Sequence, residues 1–419
     1  MRSPVAIVLL LAPLASGFAA SPSAVARPVR PALAQRHQAP RVAPPQPQMV
    51  LDAATNVELT TATMAFADQA GNLAGTFFQA SLLPYIVFLY FIGYEGNGTP
   101  RQAYFGFQFL LLFVLSTVFT GIVTKSVYSS SLADVDWLHG GAEALLTTTN
   151  LYVATGFRDA MAGEKPPEGP SFRYPAFAVF ALVVLATAAG PQLGFEQHSA
   201  FLFGLGNLDA NPLASIVSVN AEPANALSIP TWAIHFSSVF EWLFAMGMVN
   251  QYAKATGNDN WTWLTYGMLP LHASGVAACT YHFFYNSQDV SFLVALQAGL
   301  TLLGNTTVAI AAIFIALSNG WKLGPAVSQL NPFAEKPEGG ADAPTPPAIT
   351  QQEVAPAPLI AVELVLLTAV ASYVMKYGEA ALGVAFEPNA VLGWLICLAI
   401  PALVGFRFSS LEPAEKTAA

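Results

Sequence analysis

Four histidines lie within apolar stretches of this chain, where a polar side chain needs either a partner or a function. They are His139, His235, His272 and His282. An imidazole nitrogen is a good ligand for transition metals, for haem iron and for the magnesium of chlorophyll. The sequence therefore makes these four residues the candidate cofactor ligands, without specifying which metal or macrocycle they would bind.

His139 is followed four positions later by Glu143, so on a helix both side chains lie on one face within hydrogen-bonding reach. This pairing is typical of a metal or haem ligand with a supporting carboxylate, or of a proton relay within a membrane. One histidine and one acid do not complete a metal site. A polar clasp that ties neighbouring helices together is therefore the competing interpretation.

Two later segments carry the other candidates. Helical spacing places His235 and Glu241 within about 120° of each other on one segment, and His272, Cys279 and His282 within about 80° on the next. An unpaired glutamate at bilayer depth costs about 2.5–3.5 kcal/mol, so Glu241 is expected to face protein. These groups could bind a metal, a haem or a chlorophyll. Alternatively, they form interhelical hydrogen bonds, with Cys279 as a small packing residue.

The elements that must position these groups are apolar helices. Of the 419 residues 54% are hydrophobic and 10% are charged, against about 25% charged in an ordinary soluble domain. Runs near the required length of about 20 residues recur about nine times, which predicts an all-α polytopic transmembrane protein in a lipid bilayer. The third is the most polar and is expected to be either re-entrant or shielded by protein. The candidate spans are Leu73–Tyr94, Ala103–Val123, Trp137–Phe157, Pro175–Ala189, Trp232–Tyr252, Trp261–Phe283, Phe292–Leu317, Leu359–Val374 and Val391–Phe406.

The N-terminus has the composition of a two-part targeting sequence. Residues 1–17 hold one arginine, an apolar run too short to span a membrane and a small-residue cleavage motif, as in a secretory signal peptide. Residues 18–49 are rich in Ala, Pro, Ser and Arg and precede the first acidic residue, Asp52, which is typical of a transit peptide. With Phe18 at the junction, this leader resembles the bipartite presequences of algae with secondary plastids. The alternative is a secreted or endomembrane protein with a disordered Pro-rich leader.

Basic residues beyond the leader are distributed asymmetrically about the nine predicted spans. One face of the membrane receives nine of them, whereas the other receives Lys125 and Lys376. Because loops on the side where insertion begins carry the excess of Lys and Arg, the first face and the C-terminus are expected to be stromal. Long basic runs are absent from the sequence, so nucleic acid is not an expected partner. The nine residues are Arg101, Arg158, Lys165, Arg173, Lys254, Lys322, Lys336, Arg407 and Lys416.

Linkers divide the chain into three membrane modules. The first covers residues 73–190 with about four spans, the second covers 225–322 with three, and the third covers 359–407 with two. The Pro-rich linker at 331–358 is expected to be a solvated, flexible connection.

Several motifs in the second module resemble those of a known family. In order and spacing they are similar to the ycf forty-nine-like (Ycf49-like) family of cyanobacterial and plastid membrane proteins. The first module resembles a second cyanobacterial and plastid membrane domain of unknown function. The motifs of the second module are SIPTWAIH at 228–235, GMLP at 267–270, ACTYHFFYN at 278–286 and the run 295–305; those of the first are LLPY at 82–85, GFQ at 106–108 and DWLHG at 136–140.

The resemblance implies a thylakoid or plastid-envelope location and a link to photosynthesis, and it brings no established catalytic residues. The sequence also lacks a Ser-His-Asp order, a paired acidic metal box and a dinucleotide fingerprint. The leading interpretation is therefore a non-enzymatic plastid membrane protein that assists the assembly, stability or organisation of photosynthetic complexes by contacting their subunits. A protein that binds a cofactor through its histidines is the second hypothesis, and a transporter is the third.

Overall fold

A computed structural model of the chain describes residues 53–197, 225–323, 346–382 and 387–410. The predicted signal peptide and transit peptide lie outside this part. The chain divides into two compact units, Met1–Ala65 and Phe66–Ala419. In the first unit the described residues are helical, and all the candidate ligands belong to the second.

The described residues form α-helices joined by turns and short 3₁₀ helices and contain no β-strand, which confirms the all-α prediction. In chain order the helices are α1 (Ala53–Ile92), α2 (Arg101–Val127), α3 (Asp136–Met161), α4 (Tyr174–Ala189), α5 (Ile229–Thr256), α6 (Asn260–Gly267), α7 (Leu269–Phe283), α8 (Phe292–Ser318), α9 (Ala357–Leu382) and α10 (Ala390–Ser409).

Seven of the described helices are long and apolar enough to cross a membrane. Two further predicted spans correspond to α3 and to the α6–α7 pair. At 26 residues, α3 is about 39 Å long, which is enough to cross a bilayer. The sequence predicted one continuous span at Trp261–Phe283, and the structure corrects it to two helices that meet at Met268. The break at Met268 falls two residues before Pro270, because a proline fits the first turn of a helix and disrupts its interior.

Hydrogen bonds at its two ends show that α3 runs the full length of the helix bundle. At its start, the backbone N–H of Asp136 donates to the carbonyl of Gln197, beyond the end of α4 (3.0 Å). Near its other end, Thr155 accepts a hydrogen bond from Gln102 at the start of α2 (2.7 Å). We call the two ends of the bundle the Asp136 end and the Arg101 end, after the first residues of α3 and α2.

The described basic residues keep the predicted asymmetry. Lys125 and Lys376 lie toward the Asp136 end, and the remaining seven lie at or near the Arg101 end. Lys336 and Lys416 fall outside the described residues. The seven are Arg101, Arg158, Lys165, Arg173, Lys254, Lys322 and Arg407.

The polar helix α3 is enclosed by α2, α4 and α5. Its contact with α2 is close because glycines face the neighbouring backbone. A Cβ added to Gly106 on α2 would lie 2.9 Å from the backbone nitrogen of Val153, and one added to Gly156 on α3 would collide with the backbone of Ala103. Of the two alternatives for the third span, the structure therefore shows the one in which protein shields its polar side chains from lipid.

The end of the predicted flexible linker is docked against the bundle. Residues 346–356 belong to no helix or strand, and the N–H groups of Thr350 and Gln352 donate to the carbonyls of Ala255 (2.8 Å) and Met161 (2.9 Å). These carbonyls belong to the last turns of α5 and α3, where a helix lacks internal partners for its C=O groups. This stretch is therefore attached to the bundle at two points, while its residues remain exposed or half-exposed.

Large apolar side chains remain exposed on the outer helices. Leu182 on α4, Leu366 on α9 and Leu403 on α10 are 65%, 60% and 68% exposed. Contiguous apolar surface of this kind is unusual on a soluble protein and requires lipid or another apolar cover. The described fold is therefore that of an all-α polytopic membrane protein with its polar groups inside.

Candidate metal centre

Three of the four candidate histidines meet at one point near the Asp136 end. His139 lies near the start of α3, His235 lies on α5, and His282 lies on the last turn of α7. One ring nitrogen from each lies within 4.8 Å of those of the other two. The Nε2 atoms of His139 and His235 are 3.0 Å apart. His235 and His282 are 3% and 4% exposed, so the cluster lies inside the protein.

Hydrogen bonds fix the start of α5 to the start of α3. The Ser228 side chain caps α5 by accepting from the N–H of Thr231. The N–H of Ser228 donates to Asp136 Oδ1 (2.8 Å), and the Thr231 hydroxyl donates to the Asp136 carbonyl (3.4 Å). His139 lies about one turn beyond Asp136 and His235 two turns beyond Ser228. The docked helix starts therefore bring the two rings together.

A second contact fixes the end of α7 beside the start of α3. The Asn286 side-chain amide donates to Asp134 Oδ1 (2.8 Å) and to the carbonyl of Ala133 (3.0 Å). Asn286 has a φ of 56°, a left-handed conformation that asparagine adopts more readily than most residues. The chain thus turns directly after α7, and the His282 and His139 ring centroids lie 4.7 Å apart.

The hydrogen bond of His235 determines which of its nitrogens can bind a metal. Its Nδ1 lies 2.8 Å from the carbonyl oxygen of Thr231. Because a carbonyl oxygen can only accept, Nδ1 carries the proton and donates. In the neutral ring the lone pair is then on Nε2, which faces His139. Metal-binding histidines are commonly held in this way, with the other nitrogen bonded to a carbonyl.

The spacing of the nitrogens suits a single ion. Zinc binds imidazole nitrogen at about 2.0–2.1 Å, so nitrogens already within 4.8 Å of one another need small ring movements to share one ion. A haem or chlorophyll needs a flat gap for its macrocycle, and nitrogens 3.0 Å apart leave none between His139 and His235. The donor set of three imidazoles suits zinc, copper, iron or nickel.

His272 does not join the cluster. It lies on the first turn of α7, about 15 Å from His282 along the helix axis by residue count. It is 2% exposed, and neither ring nitrogen has a hydrogen-bond partner among the described residues. The helical angle that grouped it with His282 describes the face of the helix and not the depth along it.

The supporting polar residues separate into two groups. Glu241 is 3% exposed, as expected for a group that faces protein, and its Oε1 accepts from the Ser237 hydroxyl (2.7 Å). Glu143 and Cys279 each lie about one helical turn further into the bundle than the histidine on their own helix. They are close enough to interact electrostatically. Glu143 and Cys279 therefore border the cluster from inside the membrane.

The residues that dock the helices were missed as site residues. Asp136, Thr231 and Asn286 occur within the sequence motifs, but no local pattern predicts that they position ligands. Asp136 and Ser228, for example, are separated by 92 positions. Their pairing depends on the fold, and helical periodicity describes one helix at a time.

Two families of unknown function match parts of the chain. Residues 226–314 match the family described as "Protein of unknown function (DUF2499)", and residues 74–162 match "Protein of unknown function (DUF3593)". His235 and His282 lie in the first match and His139 lies in the second. The histidine cluster is therefore built from both family domains.

Two relatives are similar over a short part of this chain and most of their own length. The Ycf49-like protein of Synechocystis sp. is 48% identical over 91 residues, which are 22% of this chain and 88% of the relative. The uncharacterized protein ycf49 of Cyanophora paradoxa is 38% identical over 84 residues, which are 20% of this chain and 82% of the relative. No solved structure matches the chain.

Proposed function

Because the chain belongs to the Ycf49-like family, with relatives in a cyanobacterium and in Cyanophora paradoxa, we propose that it is a plastid membrane protein that holds a transition-metal ion. The ligands are imidazole nitrogens of His139, His235 and His282. The observation that carries the proposal is the convergence of these nitrogens to within 4.8 Å of one another at a buried point between helices.

The polar-clasp interpretation accounts for part of this arrangement. It explains His235, whose Nδ1 donates to the Thr231 carbonyl. It leaves His282 without a hydrogen bond to either of the other two rings among the described residues, although the Asn286 side chain interacts with it. A shared ion gives all three rings a common role.

The ion would join the two family domains. His139 belongs to the first domain, whereas His235 and His282 belong to the second. Binding of one ion by side chains on α3, α5 and α7 therefore stabilises the contact between the domains. We assign the metal this structural role, and we assign the protein no enzymatic activity.

Metal analysis of the detergent-purified protein tests the proposal. The wild-type chain and His272→Ala should each retain about one zinc, copper, iron or nickel ion per chain after exhaustive dialysis. The variant His139→Ala should lose it, since it removes one of three ligands. Normal helix content in all three proteins, by circular dichroism, is the required control. A folded wild-type protein that takes up none of these metals would contradict the proposal.

A role in the assembly or organisation of photosynthetic complexes is the second candidate function. The exposed apolar surfaces of α4, α9 and α10 support it, because membrane subunits of a larger complex could cover them instead of lipid. The relatives in photosynthetic organisms support it as well. Co-migration with a photosynthetic complex on native gels after mild solubilisation is the expected result. Wild-type levels of every complex in a knockout strain would count against it.

We further propose a thylakoid or envelope location with the Arg101 end and the C-terminus in the stroma. The asymmetry of the described basic residues supports this orientation. In protease-protection assays on isolated thylakoids or plastids, a C-terminal tag should show the same protease accessibility as proteins on the stromal side. A tag on the opposite side of the membrane would reverse the orientation.

A further inference from the structure

Glu143 is the acidic residue near the cluster that lacks a compensating partner. It lies on α3 one turn beyond His139, on the same face of the helix, and it is half-buried. Among the described residues it forms neither a hydrogen bond nor an ion pair. The thiol of Cys279 lies close enough to the Glu143 carboxylate for electrostatic interaction.

The other buried or half-buried acids near this part of the bundle, Asp134, Asp136 and Glu241, each accept a hydrogen bond. Asp134 accepts from the Ser131 hydroxyl (2.7 Å) and from the Asn286 amide (2.8 Å). Asp136 accepts from the Ser228 N–H and lies within electrostatic range of Lys376. Glu241 accepts from a serine hydroxyl on its own helix. Asp136 Oδ2 and Glu241 Oε2 are also buried without a partner among the described residues, but Glu143 differs from these acids in that it accepts no hydrogen bond at either oxygen.

A divalent ion at this cluster needs a negative charge close to it. Three neutral imidazoles bind the ion without reducing its net charge of two. Burying uncompensated charge in a low-dielectric interior is strongly unfavourable, so a nearby carboxylate increases retention of the ion. The set of mutually close ligand atoms contains the three histidine nitrogens and no oxygen of Glu143. The Glu143 carboxylate therefore influences the ion from outside the set of atoms that bind it.

This inference rests on the proposed metal site: we propose that Glu143 supplies the negative charge that retains a divalent ion at His139, His235 and His282, without being a ligand itself. Partners outside the ligand set typically contribute about 10–100-fold to metal affinity. The site accordingly binds divalent ions in preference to monovalent ions that favour the same ligands.

The test is a cobalt titration of the full chain in detergent, with Co²⁺ as a spectroscopic probe for a divalent ion. Glu143→Gln keeps the shape of the side chain and removes its charge. It should weaken Co²⁺ binding by about 10–100-fold and leave the cobalt absorption spectrum unchanged, because the ligands are the same. Glu241→Gln is the matched control and should bind as the wild type does. Glu143→Asp keeps the charge and should restore most of the affinity.

The outcomes separate this inference from the metal site. If the wild type binds Co²⁺ and Glu143→Gln binds it equally well, the role of Glu143 is wrong and the metal site stands. A changed cobalt spectrum in Glu143→Gln would make Glu143 a ligand and would overturn its place behind the ligands. A wild-type chain that binds neither Co²⁺ nor Zn²⁺ would overturn the metal site itself. If Glu143→Gln does not fold, Glu143→Asp takes its place in the test. A loss of Co²⁺ affinity in Glu143→Asp as large as the loss in His139→Ala would then overturn the charge argument.

Discussion

His139, His235 and His282 reach one point through three different local arrangements. His235 is oriented by the Thr231 carbonyl on its own helix. His282 is placed by the turn at Asn286. His139 follows directly from the start of α3 and packs against both other rings. Each ring is positioned by a separate element. The three rings therefore form one site only when the helices are docked.

At the residue scale, we expect the histidines to behave as a unit. Zn²⁺ should raise the melting temperature of the wild type and of His272→Ala. At a concentration of about 100 times Kd the stabilisation is about 2.7 kcal/mol. His139→Ala, His235→Ala and the double variant should all lose this shift equally, since removal of one ligand already empties the site. The measurement is thermal unfolding in detergent with and without Zn²⁺. A graded loss, or a loss in His272→Ala, would contradict the assignment.

At the scale of elements, docking of the helix ends positions the ligands. Asn286→Ala removes the hydrogen bonds to Asp134 and Ala133 and places alanine in a left-handed conformation. We expect it to lower the free energy of unfolding by about 1–3 kcal/mol and to weaken Zn²⁺ binding. Asn258→Ala removes a hydrogen bond to Ser318 at the Arg101 end and should leave the affinity for Zn²⁺ unchanged. Equal affinities in the two variants would show that the end of α7 does not position His282.

The contact of α2 with α3 gives a second prediction at this scale. A Cβ at Gly156 collides with the backbone of Ala103, whereas a Cβ at Gly141 on the same helix meets nothing within 4 Å. Gly156→Ala should therefore lower the melting temperature. Gly141→Ala should raise it slightly, because alanine is favoured over glycine in a helix by about 0.5–1 kcal/mol. Thermal unfolding of both variants measures the difference. Similar values for both would mean that the helices do not approach this closely.

The sequence predicted the helical fold and the four candidate histidines, but not which of them converge. Hydrophobic length predicted the spans, because that signal is local. The exclusion of His272 and the pairing of Asp136 with Ser228 depend on how helices distant in sequence are staggered. Helical periodicity contains no information about that stagger. The break before Pro270 could have been predicted from the proline itself.

At the scale of the whole molecule, the proposed metal site draws its ligands from two domains that match different families. Cleavage at a protease site inserted between residues 198 and 224 breaks the covalent connection between the two domains. The fragments should co-elute, and Zn²⁺ should raise the temperature at which they separate. The same cut chain with His139→Ala should show no response to Zn²⁺. Separation of the wild-type fragments at one temperature, whether Zn²⁺ or a chelator is present, would argue against a metal link.

The location of the ion within the protein tests the central claim most directly. Crystals of the metal-loaded chain, measured at the absorption edge of the bound metal, should give one strong anomalous peak among the imidazoles of His139, His235 and His282. Each of the three rings should then lie within coordination distance, about 2.0–2.1 Å for zinc. A metal-loaded crystal with its peak elsewhere, or with no peak among these three side chains, would contradict the account.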